Sequence, residues 1–362
     1  MREKLNISMF GSSLVSSYWN GAATYYRGVL RALAARGHHI RFYEPDALNR
    51  QKHRDIADPP WAIVHVYPPG EDGALEALRH ARCGSDILIK ASSVGADDAL
   101  LEREVAGMQS YACAALFWDV DAPATLERVQ SDPDDPFREL VPRFDLVLTY
   151  GGGPRVVNGY RALGARGCVP IYNALDPATH HPEQPQACYA ADLAFLGNRL
   201  PDRESRMQRF FFQPAVQLPG YRFLLGGAGW DVAPPNVRVL GHLPTAEHNA
   251  FNCSARLVLN VDRESMARFG WSPPTRVFEA AGAGACLIVD RWEGIEAFLE
   301  PDREVLVADD GDDVVEFTRS VGEARARSIG QRARKRLLRE HTYAMRAAQV
   351  EAVLLGRQLE AA

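Results

Sequence analysis

Residues 269–300, which read FGWSPPTRVFEAAGAGACLIVDRWEGIEAFLE, contain an arginine and a glutamate near the start of one predicted helix. Ser272 suits an N-cap position, and Pro273 suits the first position of a helix. The following stretch, Thr275–Ala283, favours a helix that ends at Gly284. The amino end of a helix presents free N–H groups and a positive dipole, which bind phosphate. The sequence therefore predicts an anion site over Ser272–Thr275.

Arg276 and Glu279 are one helical turn apart and share a face of this helix. Arg276 adds a full positive charge beside the anion site, and Glu279 could accept hydrogen bonds from ribose hydroxyls. This spacing favours a sugar nucleotide, with its diphosphate at the helix tip and its ribose on the carboxylate. A simpler interpretation stays open, in which the two residues form only a surface pair that contributes roughly a few tenths of a kcal/mol.

Strand and helix patterns alternate along both halves of the chain, as in doubly wound α/β domains with parallel sheets. The predicted strands are Leu5–Phe10, His39–Tyr43, Ala62–Val66, Asp86–Lys90, Ala112–Trp118 and Leu146–Tyr150, then Asp192–Leu196, Tyr221–Leu225, Val237–Leu240, Leu257–Val261, Cys286–Asp290 and Val305–Val307. Helices are predicted over Thr24–Ala35 and roughly Thr342–Leu359. Ligands of such folds bind beyond the carboxyl ends of the strands.

The length of 362 residues and an apolar fraction of 46% favour two domains, each with its own core. We expect a first domain over 1–172, a hinge over 173–187, a second domain over 188–341 and a closing segment over 342–362. The hinge is assigned because residues 173–187 are rich in Pro, His and Asp and lack periodicity.

Polar and glycine residues follow the first and fifth predicted strands of the first domain. They are Ser12, Ser13, Asn20 and Gly21 after one strand, and Asp119 and Asp121 after the other. Either group could contact a substrate, or the first could be an ordinary loop. Asp119 and Asp121 invite a metal interpretation, but we expect no metal. Asp121 could instead orient or deprotonate a hydroxyl, or serve a structural role at the start of the next helix.

Several residues of the second domain also follow predicted strands and could line a nucleotide-sugar site. They are Gly197, Asn198, Arg203, Gly226, His242, Asn260 and Arg263, together with Phe278 inside the helix described first. For Gly226 a plain turn is the alternative. For Arg199 and Arg203 the alternative is an exposed surface position.

The segment RVFEAAGAGACLIVDRWEGIEAFLEPDREVLV resembles the donor site of GT-B glycosyltransferases, and most closely that of their CgeB-like (spore maturation protein) branch. FGSSLVSSYWNGAATYYRGVLRALAARGHHIRFYE, VPIYNALDPATHHP and REHTYAMRA resemble further segments of the same branch, in the same order. The resemblance implies two Rossmann-like domains that face a central cleft. The first would bind the acceptor and the second the nucleotide sugar, and the last helix would return to the first domain.

The resemblance further implies transfer of a sugar from a nucleotide diphosphate, with UDP favoured and dTDP and GDP open. Arg276, Arg203 and the helix tip would stabilise the departing diphosphate without a metal or another cofactor, and retention of configuration is expected. The acceptor would be a glycan, a small molecule or a protein, in bacterial polysaccharide or glycoconjugate biosynthesis. Three positions depart from the pattern of relatives: Ala22 replaces a histidine, Asn198 an arginine, and Trp271 the first glutamate of E-x7-E.

The net charge of −5 argues against a general nucleic-acid or anionic-membrane binder, and no apolar run is long enough to span a membrane. We expect a cytoplasmic protein whose six cysteines are reduced core residues; a homodimer stays open. Two other functions also stay open. One is a GT-B-like sugar-nucleotide epimerase, and the other is a binding subunit without catalysis, which the three departures would explain.

Overall fold

The computed structural model describes residues 4–93, 95–108 and 113–356 of the chain. The chain forms two compact units, which are described separately. The first comprises Met1–Tyr172 and Tyr343–Ala362, and the second comprises Asn173–Thr342. Within the described residues, each helix is too short or too polar to cross a membrane.

The first unit contains a seven-stranded parallel sheet. Its strands are β1 (Asn6–Phe10), β2 (His39–Pro45), β3 (Ala62–Tyr67), β4 (Ile87–Ala91), β5 (Ala114–Asp119), β6 (Leu146–Thr149) and β7 (Cys168–Pro170). Their order in the sheet is β3-β2-β1-β4-β5-β6-β7. Because the order reverses between β1 and β4, the loops beyond these two strands lie where open α/β sheets bind ligands.

Helices connect these parallel strands, as each crossover requires. They are α1 (Ala23–Ala35), α2 (Glu71–Arg82), α3 (Asp98–Ala106), α4 (Ala122–Ser131), α5 (Phe137–Leu140) and α6 (Gly153–Ala162). Apolar strands supply the centre of the core, where Trp118, Phe117 and Phe144 are almost fully buried. Interior parallel strands are covered on both faces, which is why they appear in the sequence as continuous apolar runs.

The second unit repeats this architecture with six parallel strands. They are β8 (Ala191–Leu196), β9 (Phe223–Gly226), β10 (Val237–Gly241), β11 (Ala255–Asn260), β12 (Leu287–Asp290) and β13 (Leu306–Ala308). The order is β10-β9-β8-β11-β12-β13, so the reversal falls between β8 and β11. The helices are α7 (Glu204–Met207), α8 (Gln213–Gln217), α9 (His248–Ser254), α10 (Glu264–Phe269), α11 (Thr275–Gly282), α12 (Gly311–Ser320) and α13 (Glu323–Glu340). Leu193, Phe211 and Ile288 belong to its continuous core.

The last helix, α14 (Tyr343–Leu354), packs against α1 of the first unit. The rings of Tyr25 and Tyr343 lie 6.1 Å apart, and Arg36 forms an ion pair with Glu351. The chain therefore returns to the unit in which it began.

The predicted strands all occur, with ends that differ by a few residues, and β7 is an additional strand. This strand has only three residues and contains a proline, so its pattern is too weak to detect. Residue 112 of the predicted strand Ala112–Trp118 and residues 357–359 of the predicted last helix lie outside the described residues. The expectation that all six cysteines are core residues is wrong, because Cys83 and Cys188 are exposed.

Candidate functional site

The turn before α11 differs from the predicted start of this helix. The N-cap residue is Pro274, and no described side chain caps this end. Ser272 is buried, and its hydroxyl donates to the carbonyl of Gly270 at 2.9 Å, so the prediction of Ser272 as the N-cap is wrong. The reason is that Pro273 precedes another proline, which disfavours helical backbone at Pro273. The helix begins only at Thr275, with its leading N–H groups left without a capping side chain.

Trp271 holds this turn in an unusual conformation. Its φ of 49° lies in the left-handed region, which costs a residue with a side chain about 1–2 kcal/mol. Its backbone N–H donates to the carbonyl of Glu293 at 2.6 Å. The amino end of α11 is therefore tied to the loop that follows β12.

Arg276 and Glu279 form a salt bridge within α11. Nη1 of Arg276 lies 2.6 Å from Oε2 of Glu279, and the two side chains are 19% and 4% exposed. The two residues therefore do form an ion pair, as the simpler interpretation expected. The pair is not an exposed surface pair, however, because the Glu279 carboxylate is almost completely buried. Phe278, between them in sequence, is fully buried with its ring 5.9 Å from that of Phe298, so its side chain belongs to the core.

Two histidines that the sequence did not single out complete this group. Nδ1 of His248 lies 3.2 Å from Nη1 of Arg276, and Nε2 of His180 lies 3.9 Å from Oε1 of Glu279. Both histidines are buried. Burial and, to a smaller extent, the Arg276 charge lower the pKa of His248 to about 3. Burial also lowers the pKa of His180, so both imidazoles are neutral at pH 7.

His180, His248 and Glu279 could together offer three ligand atoms within 4.8 Å of one another to a metal ion. Arg276, however, contacts two of these three groups directly. A metal cation would have to share this space with the guanidinium charge, at a large electrostatic cost. The arrangement favours Arg276 as the cation of the cluster.

The loop after β8 is fastened to the glycine-rich loop after β9. Oδ1 of Asn198 accepts from the backbone N–H of Ala228 at 2.9 Å. A Cβ on Gly227 would lie 2.1 Å from the carbonyl oxygen of Gly197, so only glycine permits this approach. The position of a Cβ on Gly226 is likewise taken, by the side chain of Leu196. The two loops thus pack against each other, which explains Gly227 without a ligand.

Arg203 lies under this loop. Its Nη1 donates to the carbonyl of Asn198 at 3.4 Å, and its guanidinium lies 5.9 Å from the Phe195 ring centre. Burial lowers its pKa, and Asp262 supplies the largest opposing charge. Its Nε has no hydrogen-bond partner among the described residues. Arg199, in contrast, pairs with Glu204 at the surface.

The ends of β11 and β12 carry a buried pair of carboxyl groups that sequence patterns did not indicate. The backbone N–H of Asp262 donates to Asp290, which also forms a salt bridge of 2.5 Å with Arg206. Burial raises the pKa of both carboxyl groups, with Asp262 raised further by the neighbouring Asp290 charge. Asn260 donates to Asp262 at 3.0 Å.

Arg263 and His242 are two further residues predicted for the nucleotide site. Arg263 pairs with Asp202 at 2.6 Å, and His242 is exposed after β10. The histidine near Arg276 is His248, six residues later. Neither histidine has a periodic or spaced motif around it, so only the packing of α9 beside α11 distinguishes them.

In the first unit, the loop after β1 is held by its own polar side chains. Ser12 donates to Oδ1 of Asn20 at 2.8 Å, and Asn20 donates to the carbonyl of Ser13 at 2.8 Å. Ser13 donates to the buried Glu44 at 3.0 Å. These bonds fix the shape of the loop, and Gly21 is exposed, unlike Ser12, Ser13 and Asn20.

Asp119 and Asp121 occupy different environments. Asp119 is fully buried and accepts from Ser92 at 2.7 Å, from the backbone N–H of Asp121 at 2.9 Å and from the Tyr160 hydroxyl. Burial raises its pKa. Asp121 is partly exposed and occupies the N-cap position of α4 without a side-chain capping bond. Asp121 is thus the more accessible of the two carboxyl groups.

Comparison with known proteins adds a family match over part of the chain and a fold. Residues 203–352 match the model of a family described as glycosyl transferase-like. A search of curated proteins gave no significant match. The chain is similar in structure to sucrose-phosphate synthase from Thermosynechococcus elongatus, with 13% identity, a TM-score of 0.72, and coverage of 97% of this chain and 98% of that one.

Two further solved structures are similar over 97% of this chain and 100% of their own. One is HepE of Anabaena in complex with UDP and glucose, with 12% identity and a TM-score of 0.67. The other is an alpha-glucosyltransferase in complex with UDP-glucose and DNA containing an abasic site, with 10% identity and a TM-score of 0.72. At these identities the likeness establishes the fold. The chain thus has two Rossmann-like units of the GT-B fold, and residues 203–352, which include α11, are similar to the glycosyl transferase-like family.

Proposed function

We propose that the protein transfers a sugar from a UDP-sugar to an acceptor, and that the donor binds at the amino end of α11. The observation that carries this proposal is the uncapped helix end with Arg276 and the buried Glu279 one turn inside it. UDP is favoured as the nucleotide because two of the similar structures are complexes with UDP or UDP-glucose. The sequence motif R-x-F-E-A-A-x-x-G at residues 276–284 further supports the CgeB-like branch.

When the donor binds, its groups form hydrogen bonds with Arg276 and Glu279. Its diphosphate accepts hydrogen bonds from Arg276 and from the leading N–H groups of α11, including that of Thr275. Its ribose hydroxyls donate to Glu279, whose charge is otherwise balanced by Arg276. A buried carboxylate that loses its cation needs new donors, and a ribose diol supplies two.

Catalysis then depends on charge that develops on the leaving group. As the bond between the sugar C1 and the diphosphate oxygen breaks, that oxygen gains negative charge, which Arg276, Arg203 and the helix dipole stabilise. The acceptor oxygen forms the new bond to C1, and its proton passes to a base, for which Asp121 is our candidate. Retention of configuration and independence of metal ions are part of this proposal. So is a cytoplasmic location.

The proposal is tested with the purified protein and a panel of UDP-, dTDP- and GDP-sugars. Binding is measured by calorimetry, and slow release of free sugar and UDP is measured without acceptor. Binding of a UDP-sugar followed by release of UDP and sugar supports a transferase. Sugar of altered stereochemistry still attached to UDP would instead indicate an epimerase, and binding without turnover would indicate a binding subunit.

A further inference from the structure

His248 begins α9 and places its ring beside the side chain of Arg276. Its Nε2 lies 3.3 Å from the carbonyl oxygen of Leu243, and its Nδ1 lies 3.2 Å from Nη1 of Arg276. A carbonyl oxygen can only accept, so Nε2 carries the proton. A guanidinium can only donate, so Nδ1 presents a lone pair. The two neighbours therefore select one neutral tautomer of His248.

This neutral tautomer gives Arg276 a second acceptor besides Glu279. A protonated imidazole would instead repel the guanidinium and would leave no lone pair on Nδ1. His248 is buried, and burial and the Arg276 charge both keep it neutral by lowering its pKa to about 3. The contact between His248 and Arg276 therefore persists throughout the neutral pH range.

His248 matters as an acceptor for Arg276 when Glu279 accepts from the ribose of the donor. This step rests on the proposed function. Ribose hydroxyls that donate to Glu279 weaken its hold on Arg276. A long arginine side chain with no remaining anchor would lose its orientation, at a cost in entropy when it must be fixed again. Ribose hydroxyls cannot hydrogen-bond to His248 in the same way, because both of its ring nitrogens already have partners.

We propose that His248 is a positioning residue, whose Nδ1 holds the Arg276 guanidinium at the amino end of α11 while the donor occupies Glu279. His248 would then act only through Arg276. It would contact neither the sugar nor the diphosphate.

The test compares two conservative substitutions that keep different halves of the imidazole. His248→Asn places an amide oxygen near the position of Nδ1 and can still accept from Arg276. His248→Gln reaches the position of Nε2 and can still donate to Leu243, but it offers no acceptor to Arg276 from the Nδ1 position. If His248 has a purely structural role, His248→Gln should retain more activity than His248→Asn. If His248 positions Arg276, His248→Asn should retain more activity.

We expect His248→Asn to keep kcat for UDP-sugar turnover within about threefold of wild type, and His248→Gln to lower it by roughly tenfold or more. In an Arg276→Ala background, His248→Gln should have no further effect on kcat. Equal activity of the Asn and Gln variants, or an undiminished effect of His248→Gln without Arg276, would overturn the proposal.

A measurement without substrate separates this inference from the proposed function. Nitrogen NMR of the wild type at pH 7 should show His248 with a proton on Nε2 and none on Nδ1. The Arg276 side-chain N–H signals should shift in His248→Gln and stay near their wild-type positions in His248→Asn. A proton on Nδ1, or Arg276 signals indifferent to both variants, would refute the positioning role. A wild type that neither binds nor turns over a UDP-sugar would refute the proposed function, while the NMR result would still decide the contact between His248 and Arg276.

Discussion

Arg276 and Glu279 form a salt bridge of 2.6 Å inside α11, although Glu279 is almost completely withdrawn from water. A buried carboxylate is stable only when it is paired or hydrogen-bonded, and breaking such a pair leaves an expensive uncompensated charge. Arg276 and Glu279 therefore form a balanced cation and anion at this helix. A sugar nucleotide carries the complementary set, an anionic diphosphate and a pair of hydroxyl donors.

Glu279→Gln should weaken UDP binding by about 1–3 kcal/mol, the scale for losing a charge-assisted hydrogen bond. The amide offers one uncharged acceptor oxygen, whereas the carboxylate offers two that share a negative charge. Calorimetry with UDP measures the change. Glu300→Gln is the matched control, because Glu300 forms an exposed salt bridge with Arg303 at the same spacing of three residues. Wild-type UDP affinity in a folded Glu279→Gln protein would remove Glu279 from the donor site.

Arg276→Ala should lower kcat by about 10²–10³-fold, the size typical of losing one preorganised donor that stabilises developing charge. Steady-state kinetics with the UDP-sugar found by the binding panel measures this effect. Arg303→Ala, which removes the arginine of the exposed pair, should leave kcat unchanged. An increase in KM alone would reduce Arg276 to an anchor for the bound substrate.

Transfer should persist in excess EDTA, because arginines and a helix end take the place of a metal ion at the diphosphate. Asp121→Asn should slow transfer with little change in UDP affinity if this carboxylate orients or deprotonates the acceptor. Asp134→Asn is a suitable control, because Asp134 is exposed in the loop after α4. Activity that is lost in EDTA and restored by Mg²⁺ or Mn²⁺ would contradict the metal-free mechanism.

The contribution of His248 and His180 to the free energy of unfolding should fall as pH drops from 6.5 toward 3. Burial lowers the pKa of His248 from 6.5 to about 3 and also lowers that of His180, so these two imidazoles bind more protons in the unfolded chain than in the folded one within this window. Their contribution to stability then rises with pH and is fully present above the unfolded value. Arg276 opposes protonation of both rings, whereas Glu279 favours it.

Denaturant unfolding at pH 7, 6, 5 and 4 measures this pH dependence. His248→Asn should reduce the slope between pH 6.5 and 4, because the variant no longer has that group to protonate. The exposed His242→Asn substitution serves as the control. An unchanged slope in His248→Asn would mean that other groups cause the acid sensitivity.

Much of the fold followed from local patterns. Apolar runs identified the strands of both sheets because interior parallel strands are buried on both faces. The start of α11 was misplaced by two residues, since the rules for an N-cap and a first-turn proline conflict with the restriction that Pro274 imposes on Pro273. Strand order and the boundaries of the compact units came from long-range pairing.

The sequence by itself determined that Arg276 and Glu279 share a helical face beside an amino end, because residues three apart in a helix must lie one turn apart. Only the tertiary structure decided that Glu279 is buried, that His180 and His248 lie beside the pair, and that Asp262 and Asp290 share one buried site. These groups are far apart in the chain and carry no periodic signal. They meet because parallel strands end at one edge of a sheet and helices from separate crossovers pack side by side. These contacts set the protonation of the carboxyl groups and the tautomer of His248.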